Sequence, residues 1–96
     1  MKKKKQGNKY EQIPDQIIDL HGYTQVEARA VVSSALMTAR AESLSRVRFI
    51  TGKGSHSQDG FAVLRESVKQ HLAYLGYDYV YAKRDQGGEG VLDVVL

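Results

Sequence analysis

The sequence predicts an α/β fold: a two-layer α/β sandwich in the order βαβαββ, with a mixed four-stranded sheet and both helices on one face. Three observations lead there. Two β-rich runs are each followed by a segment with apolar residues at helical spacing, the end of the chain changes to two alternating runs, and turn or capping residues stand at the changes of period. Crossovers between parallel strands are right-handed in nearly all proteins, so a sheet growing in one direction puts both helices on the same side. At 96 residues the chain has material for one modest core and no second one.

Residues 1–16 read as a basic, flexible N-terminal tail with an extended lead-in, and residues 17–96 as the domain. Five of the 14 basic residues (Lys2, Lys3, Lys4, Lys5 and Lys9) fall in the first nine positions; the other nine face 11 acidic residues, so a net charge of +3 becomes −2 once the tail is set aside. The basic character belongs to the tail, which either adds non-specific affinity for nucleic acid or a ribosome or is a solvated arm. The absence of cysteine excludes a disulfide framework and a thiolate zinc site, and it fits a reducing cytoplasm, the expected location. No apolar run approaches the roughly 18 residues of a membrane span, and polar residues follow the initial lysines where a secretory signal is apolar. No membrane partner is expected.

The first strand is predicted over Ile17 to His21, after a lead-in containing Pro14. Strand side chains alternate, so Ile18 and Leu20 face one way while Asp19 and His21 share the other face, a carboxylate beside an imidazole. Gly22 permits a tight turn, and Thr24 with Glu27 forms a capping box that opens a helix from Gln25 to about Glu42, with Ala28, Val32, Ala35, Leu36 and Ala39 as its apolar stripe. The second strand, Val47 to Thr51, is ended by Gly52 and Gly54. Leu64, Val68, Leu72 and Leu75 mark the second helix, which Gly76 stops. His71 within it reads as structural. Tyr77 to Tyr81 and Val91 to Leu96 are the alternating runs, joined by a turn in which Gly87, Gly88 and Gly90 shape the chain. Asp93, opposite Leu92, Val94 and Leu96, reads as the mark of an open or functional face, the alternative being a salt bridge to a neighbouring strand.

Polar groups at the carboxyl ends of strands are where an α/β sheet usually places its site. If the first two strands are parallel, Asp19 and His21 share an edge with the loop Thr51-Gly52-Lys53-Gly54-Ser55-His56-Ser57. Alternate glycines free backbone N–H groups to turn toward an anion, Lys53 adds a cation, and Ser55 and Ser57 add hydroxyl donors. His56 either contacts phosphate, assists His21 or caps the second helix. The loop is not a Walker A loop, whose longer spacer and Gly-Lys-Ser/Thr ending are missing; it reads as a phosphate cradle, with a plain strand-to-helix turn as the alternative. The candidate catalytic residues are thus Asp19 and His21, with a purely structural pair as the competing reading. The candidate nucleic-acid or phosphate-binding residues are Gly52, Lys53, Gly54, Ser55, His56, Ser57, Lys83 and Arg84. Tyr77, Tyr79 and Tyr81 share a strand face and serve either base stacking or cross-strand packing. No close ligand spacing marks a metal site, although a divalent metal is compatible with the residue types present.

Taken together, these motifs resemble the small MutS-related (Smr) domain family. The resemblance rests on Asp19-Leu20-His21-Gly22 before a helix, Ile50-Thr51-Gly52-Lys53-Gly54-Ser55-His56-Ser57 after it, and Gly87-Gly88-Glu89-Gly90-Val91 before the last strand, and it runs from about Ile17 to Leu96. It implies a stand-alone domain, similar in fold to the C-terminal domain of a bacterial translation initiation factor, that binds nucleic acid. It implies also that such domains in several cases are endonucleases acting on DNA or on messenger RNA at stalled or collided ribosomes. By the same resemblance Asp19 and His21 match the family's Asp-x-His element, and Gly52, Lys53 and Gly54 its second-loop glycines and basic residue. Thr51 stands where the family often has histidine, which leaves His21 to carry most of any chemistry. The expected function is cleavage of RNA or nicking of structured DNA, with a non-catalytic nucleic-acid- or ribosome-binding adaptor as the alternative. RNA asks less of these residues, because His21 can take a proton from a 2′-hydroxyl, whereas DNA requires an activated water. The oligomeric state is left open, a monomer being preferred.

Overall fold

The computed structural model describes residues 13–52, 60–82 and 88–96, apart from the side chains of 60–62 and 89. Its elements are β1 (Gln16–Asp19), α1 (Gln25–Ala41), β2 (Arg46–Ile50), α2 (Gly60–Leu75), β3 (Tyr79–Tyr81) and β4 (Val91–Val95), the last entered through a 3-10 turn at Gly88–Gly90. This is the βαβαββ order read from the sequence. The strands lie β1-β2-β4-β3, with β1 parallel to β2 and β4 antiparallel to both of its neighbours. Because β4 runs against β2, the turn that feeds it arrives at the edge where β1 and β2 end. One reversal of direction therefore brings three chain segments to a single edge.

Helix α1 starts with the expected capping box: the Glu27 N–H donates to Thr24 Oγ1 at 3.1 Å, and the Thr24 N–H donates to Glu27 Oε1 at 2.9 Å. Helix α2 stops as Gly76 predicts. Its φ of +88° lets the Tyr77 N–H reach the Leu72 carbonyl at 2.9 Å and the Gly76 N–H reach that of Ala73 at 3.0 Å, the paired bonds of a Schellman ending. Helix α1 ends the same way, through Leu44 N–H to Ala39 O at 2.9 Å and Ser43 N–H to Arg40 O at 3.1 Å. There the left-handed residue is Ser43, at φ 60°, which lacks the freedom of glycine.

Both helices cover one face of the sheet. Ala28, Val32, Leu36 and Ala39 from α1 and Leu64, Val68 and Leu72 from α2 pack with Leu20, Val47, Phe49, Leu92 and Val94 in one buried cluster. The helices are also bridged by polar groups, Arg29 Nη1 donating to Ser67 Oγ at 2.9 Å and Ser33 Oγ lying 2.7 Å from His71 Nε2. His71 is structural, as read. The tyrosine stripe belongs to this same face, since Tyr79 and Tyr81 are in register with Val94 and Leu92, and Tyr77 and Tyr79 pack against the core. Packing thus accounts for Tyr77 and Tyr79. Tyr81 is exposed, edge-on to Tyr79 at 5.9 Å between centroids, with Lys69 Nζ 5.6 Å from its ring centre. The neighbouring Tyr81 and the hydrogen bond to Glu66 Oε2, at 3.1 Å, hold Lys69 above the ordinary lysine range.

On the opposite face the reading of Asp93 as a functional marker is corrected. Asp93 is fully buried, and its Oδ1 accepts from Arg48 Nε at 2.8 Å while Oδ2 accepts from Arg48 Nη2 at 2.9 Å and Arg46 Nε at 3.0 Å. Arg48 lies directly opposite it in the β2–β4 ladder, so the cross-strand salt bridge is what this residue provides. The hydrogen bond to Asp93 raises the Arg48 pKa above the usual guanidinium value, outweighing the lowering effect of burial. The first strand also differs from expectation. It begins at Gln16 and stops at Asp19, and His21 lies in the turn beyond it.

Candidate functional site

The site starts where β1 lets go of the sheet. Leu20 is fully buried, and its N–H makes the last bond to β2, donating to the Ile50 carbonyl at 2.9 Å. The chain then reverses through Leu20-His21-Gly22-Tyr23, closed by the Tyr23 N–H donating to the Leu20 carbonyl at 3.0 Å. Gly22 occupies the position of this turn that needs a positive φ, at +88°. Space around it is open, so the backbone angle alone makes glycine the fitting residue there. His21 is the other corner of the turn and is exposed. Thr24 follows at once with its capping box, so the corner is held between a buried strand end and a fixed helix start.

Asp19 contributes in a way the alternation of strand side chains does not anticipate. Its Oδ1 accepts from the backbone N–H of His21 at 2.9 Å, an Asx turn superimposed on the β-turn. Carboxylate and histidine are adjacent, as expected. Their relation, however, runs through this backbone bond at a chain reversal rather than through a shared strand face.

Strand β2 brings the start of the second loop, Thr51 and Gly52, to the same edge. Asp19 is paired with Ile50 in parallel register, so Leu20 and Thr51 leave the sheet on neighbouring strands, about 4.8 Å apart. Thr51 is fully buried and tied to the start of β4: its N–H and that of Gly52 both donate to the Gly90 carbonyl, at 2.8 and 3.0 Å, and Thr51 Oγ1 lies 3.3 Å from the same oxygen. The hydroxyl is engaged inside the fold. Gly52, at φ +88°, then turns the chain away from the ladder. The sequence assigns Gly90 only a turn-shaping role, whereas its carbonyl anchors the origin of the second loop. The signal was present as a glycine just before the last strand, but the antiparallel register that aims it at Thr51 is not a local property.

Among the expected site residues, the structure thus brings Asp19, His21 and Gly52 to one edge. Lys53, Gly54, Ser55, His56, Ser57, Lys83 and Arg84 lie outside the described residues. Among the described residues no group of three His, Asp or Glu side chains is arranged to hold a metal ion, and no helix is long and apolar enough to cross a membrane. An open depression lined by Arg40, Ser45, Tyr77 and Leu96 lies at the other end of β2, away from Thr51. Chemically, the edge offers an exposed imidazole on a constrained corner.

Comparison with known proteins agrees with this fold. The sequence profile of the Smr domain family matches residues 18–96. The chain is 38% identical over 87 residues to an uncharacterized protein of Treponema pallidum, covering 88% of this chain and 42% of that protein. It is 33% identical over 79 residues to endonuclease NBR9 of Saccharomyces cerevisiae, covering 82% of this chain and 32% of that protein. The chain therefore spans less than half the length of either relative. Among solved structures, it is similar to the Smr domain of Thermus thermophilus MutS2, with 34% identity, a TM-score of 0.74, and coverage of 84% of this chain and 96% of that one. It is also similar to YdaL, a stand-alone small MutS-related protein of Escherichia coli, with 28% identity, a TM-score of 0.75, and coverage of 83% and 63%.

Proposed function

The chain belongs to the Smr domain family, and on that footing we propose that it binds nucleic acid at the edge formed by the ends of β1 and β2 and cleaves RNA there, with His21 as proton acceptor. Family membership supports a nuclease-related, nucleic-acid-binding domain, and the resemblance to an endonuclease supports cleavage rather than binding alone. The observation that carries the reading is the corner itself: an exposed His21 whose backbone is held by Asp19, beside the origin of the second loop at Gly52. An open edge suits a polymer.

In the proposed reaction His21 takes the proton of a ribose 2′-hydroxyl and that oxygen attacks the adjacent phosphorus. The 5′-oxygen of the next nucleotide leaves and takes a proton from water, giving a 2′,3′-cyclic phosphate and a 5′-hydroxyl. Lys53 and the glycine-rich backbone from Gly52 to Ser55 are the groups proposed to hold the phosphate and the charge that develops on it. His56, Ser57, Lys83 and Arg84 are further candidate contacts to the strand, and the N-terminal lysines add sequence-independent affinity. Messenger RNA on a ribosome, in the cytoplasm, is the proposed setting.

The test is to incubate purified chain and its Lys53→Ala variant with labelled single-stranded RNA, structured DNA and a collided-ribosome preparation. RNA cleavage that weakens in the variant is expected. Binding to all three without cleavage of any would assign the edge to a non-catalytic adaptor.

A further inference from the structure

We infer that Asp19 is a positioning residue, whose carboxylate oxygen serves the site by fixing the backbone of His21 and not by supplying a negative charge to the imidazole. The inference rests on the reading of His21 as the reacting group and concerns how that group is held. Three observations point to it. The bond is short and local, from the His21 N–H to Asp19 Oδ1 at 2.9 Å over two residues. Among the described residues β1 is an edge strand whose last ladder bond is made by Leu20, and the His21 N–H, one residue further on, is taken by Asp19. Asp19 is exposed on the sheet face away from the helices, so the core does not require a carboxylate there.

The β-turn fixes Leu20 against Tyr23 and the capping box fixes Thr24 against Glu27. His21 is a corner of the first of these clamps, and the Asp19 bond takes up its own backbone N–H. A reacting group misplaced by about 1 Å can cost roughly 100-fold in rate, so a backbone clamp on an exposed corner has catalytic consequence. Asparagine forms the same turn through its amide oxygen. The charge-neutral substitution therefore separates the two roles. Where a carboxylate acts on a ring nitrogen of histidine, as in a serine-protease triad, changing it to an amide costs about 10⁴ in kcat.

The experiment uses the full chain as wild type, Asp19→Asn and Asp19→Ala, with cleavage of a labelled RNA and NMR hydrogen exchange at the His21 amide measured on each. For Asp19→Asn the expected result is His21 exchange within about threefold of wild type and cleavage within about tenfold. For Asp19→Ala, exchange speeds at least about tenfold and kcat falls about 100-fold, with KM within about threefold. A loss near 10⁴ in Asp19→Asn with a protected His21 amide would overturn the inference in favour of the charge. Unchanged exchange in Asp19→Ala would overturn it by removing the clamp. If the wild-type chain cleaves no RNA, the nuclease reading falls separately. The exchange comparison then decides the clamp alone: protection in the Asn variant and not the Ala variant upholds it, and equal exchange in both overturns it.

Discussion

Replacing Asp93 with alanine removes a carboxylate that Arg46 and Arg48 share. Three hydrogen bonds are lost, at 2.8, 2.9 and 3.0 Å, and the Arg48 side chain, 9% exposed, keeps its charge without that of Asp93 beside it. Breaking a buried pair in this way costs about 3–5 kcal/mol, most of it the penalty of the stranded ion. Arg46 is 18% exposed and reaches water more easily, so the smaller share belongs to it. Proteins hold about 0.05–0.15 kcal/mol of net stability per residue, so 96 residues give roughly 5–14 kcal/mol and the loss is a large fraction of it. At about 4–8 °C per kcal/mol for a domain of this size, Tm should fall by about 12 °C or more. Urea denaturation followed by circular dichroism measures the change, with the slope expected to stay constant. Arg48→Met combined with Asp93→Leu removes both charges and should recover most of the loss. If Asp93→Ala lies within about 1 kcal/mol of wild type, the buried ion cluster is not what joins β2 to β4, and the reasoning fails.

Two further outcomes concern the helices. Ser43→Gly relieves the left-handed strain at the end of α1 and should stabilise the chain by up to about 1 kcal/mol, read as a higher urea midpoint; a lower midpoint would mean that the serine side chain does more than tolerate its angle. Lys69 has its pKa raised by Tyr81 and Glu66, so its contribution is fully present below the ordinary lysine pKa of about 10.4 and fades only as pH climbs through the higher folded value. The stability difference between wild type and Lys69→Met should therefore stay flat from about pH 6 to about pH 9. A difference that shrinks across that window would place the interaction elsewhere.

Much of the fold was legible because its signals are local. The capping box at Thr24 and Glu27, the stripe from Ala28 to Ala39 and the stop at Gly76 are each set within a few residues, and each appears as read. Partners across the sheet were not legible. Asp93 finds Arg48 and Arg46 at separations of 45 and 47 residues, and Gly90 meets Thr51 at 39, all fixed by the insertion of β4 between β2 and β3. Periodicity tells which face a side chain takes, not which strand it will face. The same limit explains His21. Alternation placed it on the strand, whereas Asp19 offers its N–H a local bond and the chain turns there instead. Of the candidate site, the approach of Asp19, His21 and Gly52 to one edge was legible as motifs, and the structure adds the Asx turn at His21 and the Gly90 anchor at Thr51.

The measurement that bears most directly on the nuclease reading is end-group analysis of RNA products from wild type and His21→Ala, with RNA affinity measured in parallel. The expected result is a 2′,3′-cyclic phosphate and a 5′-hydroxyl from wild type. For His21→Ala the expected rate is about 10²–10⁴ lower, with affinity within about threefold. Products ending in a 5′-phosphate, or a rate untouched by His21→Ala, would contradict attack by a 2′-hydroxyl that His21 deprotonates.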